Sequence, residues 1–315
     1  MTTERQSKGP IRRRDVHGIL LLDKPKGMSS NAALQRVRYL LRARKGGHTG
    51  SLDPLATGML PLCFGDATRF SHAMLDADKT YRVEMTLGQS STTGDAEGDK
   101  SVPVSIPTLD LAGWQRVADQ FIGEIEQVPP MYSALKHQGK RLYELARQGQ
   151  AVERPPRRVT IHSLAVDAVQ PATVDLTVTC SKGTYIRTLV EDLAATAGTQ
   201  AWTSRLHRVS VAPFGGDMLT LTAIEAADEQ GEPIALLPVD AGLSDWPALQ
   251  FDEAQSRRFC SGQTVPVSTA IAGRCCCYGP DGLFLGSGSS GSDPTAIKPD
   301  RVMSSAQAVY LPRSG

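Results

Sequence analysis

No stretch of these 315 residues approaches the roughly 20 consecutive apolar residues of a membrane span, and residues 1–17 lack the apolar middle of a secretory signal. Both absences predict a cytoplasmic protein with no membrane partner. The six cysteines (Cys63, Cys180, Cys260, Cys275, Cys276 and Cys277) form no C-x-x-C pair and have no histidine at zinc-like spacing. They read as reduced thiols rather than a metal site, and the Cys275–Cys277 run as three small apolar residues of a strand. A regular strand–helix–strand rhythm is missing, as is any internal repeat, which predicts an α+β fold rather than a doubly wound parallel sheet.

Charge of one sign is also missing overall, since the formal net charge is +1. Its distribution is uneven. Residues 1–45 hold twelve lysines and arginines against three acids, and Lys136 to Arg158 hold seven against two. Such clusters are ordinary solvated faces or a positive surface that neutralises phosphates by counterion release.

What is present is a normal apolar content of 40%, enough for one large domain or two ordinary ones. Residues 1–15 are polar and aperiodic and are expected to form a disordered basic arm. Gly18–Asp23 is a short apolar run closed by Lys24-Pro25-Lys26-Gly27, the pattern of a buried strand and a turn. Ser29 or Ser30 then caps a helix expected to run through Arg44, with Ala33, Leu34, Val37 and Leu41 on one side. Strands are predicted at Met59–Phe64, Thr80–Leu87 and Val174–Cys180, and helices at Trp114–Phe121, Leu142–Arg147 and Thr188–Ala195. The main body is expected to span residues 16–245. Composition changes near Ser244–Ala248, and residues 249–312 suffice for a small separate β domain.

From Gly46 to Gly58 the chain is irregular and rich in residues with special backbone needs. Asp53 stands in this loop beside Pro54, which biases it toward an extended backbone that presents its side chain. An Asp before Pro also serves as a plain turn initiator. The twelve residues Gly47-His48-Thr-Gly50-Ser-Leu-Asp53-Pro-Leu-Ala-Thr-Gly58 decide between these readings. They resemble, nearly residue for residue, the signature loop of the TruB family of pseudouridine synthases.

The resemblance continues in matching order over roughly residues 18–215. It takes in Lys24-Pro25-Lys26-Gly27-Met-Ser29-Ser30, Lys79-Thr80-Tyr81-Arg82, Gly94-Asp95-Ala96-Glu97-Gly98, Pro129-Pro130-Met131-Tyr132-Ser133-Ala134 and Ser181-Lys182-Gly183-Thr184-Tyr185-Ile186-Arg187. It implies a mixed, mainly antiparallel pseudouridine synthase core that isomerises uridine in the T arm of tRNA. Asp53 is then the nucleophile, Arg187 its partner and Tyr81 the aromatic that stacks on the target base. His48, Tyr185, Lys24, Asp95 and the apolar Leu206 are expected to form the substrate side. The resemblance further implies a monomer that needs neither cofactor nor guide RNA, and a PUA-like RNA-binding domain at 249–312. Arg187 is expected to lower the Asp53 pKa, because an opposite charge at contact favours the ionised form.

Overall fold

The structure, a computed structural model, describes residues 12–133, 135–137, 139–150 and 152–311. The chain opens with β1 (Gly18–Lys24), α1 (Ser30–Leu40), β2 (Gly46–His48), β3 (Thr57–Phe64), α2 (Ser71–Asp76) and β4 (Lys79–Leu87). There follow α3 (Leu111–Ala118), β5 (Gly123–Gln127), the short β6 (Lys136–His137) and β7 (Lys140–Arg141), and α4 (Leu142–Arg147). The main body closes with β8 (Arg157–Val169), β9 (Thr173–Cys180), α5 (Ile186–Thr196), β10 (Ala201–Val211), β11 (Leu219–Thr220) and α6 (Leu221–Gln230).

Nine of these strands form one sheet in the order β11-β1-β3-β10-β4-β9-β8-β5, with β2 added on β3. Its pairs are antiparallel except β1 with β11 and β10 with β3. β9 alternates buried and half-buried residues along its length, as its sequence predicts for a strand with one face covered. β1 and β3 are buried almost continuously because both faces are covered. Leu20, Leu22, Leu60, Leu62 and Phe64 pack with Ala33, Leu34, Val37 and Leu40 of α1. Ile19, Met59 and Cys63 face the other way, into a smaller cluster with Met74 and Val211. The period of two thus divides one apolar run between two cores.

α1 starts as expected, with the Ser29 side chain accepting the Ala32 N–H at 3.1 Å. It stops at Leu40 rather than reaching Arg44. Arg42 takes a left-handed φ of 54°. Its N–H donates to the Tyr39 carbonyl and that of Ala43 to the Arg38 carbonyl, each at 3.0 Å. This paired closure is the one glycine usually provides at a helix end, so periodicity alone could not place it. Residues 12–15 are tied down and not part of a disordered arm: the Arg14 N–H donates to the Arg42 carbonyl and the Arg44 N–H to that of Arg14. Residues 1–11 lie outside the described residues.

A second sheet follows, with β12 (Ala248–Gln250), α7 (Glu253–Cys260), β13 (Val265–Pro266), β14 (Arg274–Tyr278), β15 (Phe284–Ser290), β16 (Ala296–Val302) and α8 (Ser304–Tyr310). Its strand order is β12-β14-β15-β16-β13. Cys275, Cys276 and Cys277 lie on β14 and are buried, as a strand of small apolar residues predicts. Their core is completed from the main body by Phe70 and Leu243. Phe70 meets Phe284 with ring centres 5.4 Å apart, and Arg69 donates to the Val302 carbonyl at 2.5 Å and to Ser304 Oγ at 2.8 Å. The small domain is therefore docked on the segment that follows β3. No helix among the described residues is long and apolar enough to cross a membrane.

Candidate active site

The loop between β2 and β3 that carries Asp53 has few regular backbone partners, so side chains hold it. Ser30, buried in the first turn of α1, exchanges two hydrogen bonds with Leu52: its Oγ accepts the Leu52 N–H at 2.7 Å and its hydroxyl reaches the Leu52 carbonyl at 3.0 Å. Lys24, wholly buried at the end of β1, donates to the carbonyls of Pro25 (2.8 Å), Met28 (2.7 Å) and Pro54 (3.5 Å). The Gly27 N–H donates to the same Pro54 carbonyl at 2.7 Å. Arg208 of β10, 1% exposed, donates from Nε to the Met59 carbonyl at 2.7 Å and from Nη2 to the Gly50 carbonyl at 3.0 Å. Gly58, with φ 97°, passes so close that an added Cβ would stand 2.3 Å from the Arg208 carbonyl oxygen. Only glycine fits there.

This cradle presents Asp53 to Arg187. Arg187 Nη2 lies 3.0 Å from Asp53 Oδ2 and Nη1 lies 3.5 Å from Asp95 Oδ2. The same guanidinium donates to the carbonyls of Thr93 (2.7 Å) and Tyr132 (2.6 Å). Arg187 sits in the first turn of α5, where the helix dipole disfavours a cation. Two carboxylates and two carbonyls offset that cost. The Gln127 side chain joins the start of α5 to β5, accepting the Tyr185 N–H at 3.0 Å and donating to the Tyr185 carbonyl at 3.3 Å.

Burial raises the Asp53 pKa above its ordinary value of 3.8; Arg187 pulls the other way, Asp95 adds to the rise, and Lys24 opposes it. The direct effect of Arg187 is thus the one read from the sequence, but loss of solvation outweighs it. The Asp53 side chain nevertheless remains 42% exposed, whereas that of Asp95 is 6% exposed. Asp53 is walled by protein yet open on one side, which is what a group that meets a ligand requires.

The other residues singled out from the sequence are distributed around this pair. Tyr81 on β4 is paired across the sheet with Arg208 and Val178 and is 8% exposed. Its hydroxyl pKa is raised, first by burial and further by the nearby Asp53 charge, while Arg208 opposes the rise. Leu206 lies two residues before Arg208 on the same face of β10, opposite Val83, and belongs to the main core. His48 is half-buried on β2, opposite Leu62, so it stands on a strand rather than in the irregular loop the sequence suggested. Burial, then the charge of Arg208, lowers its pKa below 6.5, and its Nδ1 is enclosed without a hydrogen-bond partner among the described residues. Tyr185, half-buried, stands at the start of α5 without a side-chain bond to cap it.

Two placements differ from the expected substrate side. Lys24 is 0% exposed, so it cannot touch RNA; its amine holds the Asp53 loop instead. Desolvation lowers its pKa to about 8, against the pull of Asp53. Asp95 is turned inward, accepting from Thr93 Oγ1 at 2.5 Å and the Glu97 N–H at 3.0 Å, and backs Arg187 from behind. Sequence reading missed Arg208 and Gln127, and it named Ser30 only as a helix cap and as part of the Lys24–Ser30 motif. Arg208 sits in a polar stretch, Arg205-Leu-His-Arg208, whose pattern gives no sign that this arginine points inward. Ala134, the last residue of one motif, lies outside the described residues. Among those described, no group of three or more His, Cys, Asp or Glu is placed to hold a metal ion.

Comparison with known proteins gives the family of the chain. Residues 38–186, which include Asp53, Tyr81 and Asp95, match the model of the TruB family pseudouridylate synthase N-terminal domain. A protein of Cupriavidus taiwanensis called tRNA pseudouridine synthase B is 52% identical over 86% of this chain and 89% of its own length. One of the same name from Pseudomonas fluorescens is 48% identical over 93% of this chain and 97% of its own. Among solved structures, a chain of a Cbf5-Nop10-Gar1 complex superposes with a TM-score of 0.70 over 91% of this chain and 84% of that one, at 23% identity, a likeness of fold. The chain belongs to the TruB family of pseudouridine synthases.

Proposed function

We propose that this protein isomerises a uridine in the T arm of tRNA to pseudouridine, acting as a monomer without guide RNA or cofactor, with Asp53 as nucleophile. The observation that carries the proposal is one partly open carboxylate paired at 3.0 Å with a buried arginine. The names of the bacterial relatives support tRNA as the substrate. The reaction breaks the C1′–N1 bond, turns the uracil and joins C5 to C1′, moving one proton from C5 to N1. It is redox-neutral and needs no energy input. One ionised carboxylate beside the sugar carbon is enough to assist it by covalent catalysis.

A uracil inside a folded RNA loop is out of reach until it is extruded, at a cost of a few kcal/mol. Tyr81 provides the surface on which the extruded base stacks, and Leu206 the apolar wall beside it. His48, neutral at pH 7 because burial and Arg208 lower its pKa, occupies space vacated in the RNA. The small β domain acts as a PUA-like RNA-binding module. Six cysteines with no disulfide among them fit a reducing cytoplasm.

A nucleoside hydrolase would need a second acid across a water-sized gap from Asp53. Asp95 and Glu97 are the acids the sequence offers for that role, and Asp95 does not fit, because its carboxylate is inward and held by Arg187. Incubating unmodified tRNA with the protein and mapping the modification tests the proposal. Pseudouridine at one T-arm position is the expected product. Free uracil, or bound and unchanged RNA, would overturn it.

A further inference from the structure

A cleft of about 810 Å³ lies away from Asp53, between the segment before β1, the end of α1 and the end of α6. Five arginines line it (Arg12, Arg13, Arg14, Arg42 and Arg44) against three acids, Asp15, Asp228 and Glu232. α1 links the two places. Its first turn carries Ser30, which holds Leu52 beside Asp53, and Leu40, which lines the cleft, lies ten residues on, about 15 Å along the helix.

The arginines are not equivalent. Arg13 Nη1 donates to the Ala43 carbonyl at 3.0 Å and Arg14 Nε to that of Leu41 at 3.1 Å. Both are occupied with the carbonyls at the end of α1, a favourable place for cations. Arg44 meets Asp15 at 3.1 Å in an exposed pair, which holds a guanidinium only weakly. Among the described residues nothing takes up the guanidinium of Arg12 or Arg42, and both are exposed. Arg42 also carries the left-handed backbone at φ 54°. A residue with a Cβ adopts that conformation at a cost which glycine avoids, and such strain tends to gather where a side chain has a use.

We propose that this cleft binds backbone phosphates of the tRNA substrate at a distance from the reacting uridine, through Arg12, Arg42 and Arg44. The proposal rests on the reading of tRNA as substrate but needs no turnover. Arginine suits the role because its planar fork pairs with phosphate oxygens. Contacts of this kind fix the position of a nucleic acid without reading its sequence.

The test is an RNA-binding titration over a range of salt, using unmodified tRNA and the full-length chain in an Asp53→Asn background, so that no product forms. The double variant Arg12→Gln/Arg42→Gly keeps the backbone at residue 42, so its Tm is expected to be no lower than that of the parent. Its affinity is expected to fall about tenfold, and its salt slope to drop by about 1.5, near two lost phosphate contacts. Arg12→Lys/Arg42→Lys is expected to recover most of the affinity. Unchanged affinity and slope in the folded double variant would overturn the proposal. Pyrophosphate raising the Tm of the parent but not of the double variant, with tRNA affinity equal in both, would assign the cleft to a free phosphate ligand and also overturn it. Failure of the functional reading shows elsewhere, as absence of pseudouridine with the unaltered chain.

Discussion

Asp53 Oδ2 stands 3.0 Å from Arg187 Nη2, and the two side chains differ in exposure, 42% against 6%. The arginine is committed to the interior and the acid is left facing outward. In the proposed reaction, chemistry at this pair falls to Asp53, while Arg187 positions it and stabilises its charge.

Asp53→Asn is expected to abolish pseudouridine formation while tRNA affinity stays within about tenfold, because phosphate contacts dominate binding. Single-turnover mapping and a binding titration measure the two effects separately. Turnover near that of the unaltered protein would remove Asp53 from the mechanism.

The raised pKa of Asp53 sets a direction for activity. In the proposed reaction the ionised acid is the working form, so the rate is expected to fall as pH drops through a value above the ordinary 3.8. Asp95→Asn removes the like charge that adds to this rise, so the acid limb of the single-turnover profile is expected to move to lower pH. A shift to higher pH would show that Asp95 acts on Asp53 chiefly through the placement of Arg187.

Stability carries the opposite sign. An acid whose folded pKa is raised contributes stability that is present below 3.8 and lost as pH rises through the folded value. Asp53→Asn is therefore expected to raise the Tm at pH 8, with the difference shrinking toward pH 3. Thermal unfolding of both proteins over that range checks it, and a lower Tm for the variant at pH 8 would contradict it.

Lys24 donates to three carbonyls, including that of Pro54 next to Asp53, from a fully buried position. Lys24→Met is expected to leave those acceptors short of donors, at a cost of about 2 kcal/mol, and to slow turnover. Affinity for tRNA is expected to hold within about twofold, since the amine cannot reach the RNA. A large loss of affinity with normal stability would restore Lys24 to the substrate side.

Arg208→Ala is expected to cost about 3 kcal/mol, because the Met59 and Gly50 carbonyls lose buried donors and a cavity opens. Chemical denaturation gives the stability. Arg208→Lys, which keeps one charge but not the fork, is expected to retain most of the stability and to turn over more slowly, through a looser Asp53 loop. Equal rates for the lysine variant and the parent would show that the fork is not what positions Asp53.

The sequence by itself determined the elements and the chemistry-bearing residue types. Local periodicity announces β1, β3, β4, β9 and α1, since it depends only on neighbours along the chain, and the resemblance of a twelve-residue loop to the TruB signature singles out Asp53. Only the tertiary structure decided which charges are buried and what they hold. Lys24 is expected on the substrate side and Arg208 is not singled out at all, because a long flexible side chain follows the same pattern whether it reaches water or a carbonyl inside. Asp95 read as a substrate-facing acid until Arg187, 92 residues away, was seen to turn it inward. The end of α1 fell at Leu40 because the partners of Arg14, Arg42 and Ala43 are set by packing. The Asp53 pKa likewise rises although its nearest neighbour is a cation, because desolvation belongs to the assembled fold and to no segment of it.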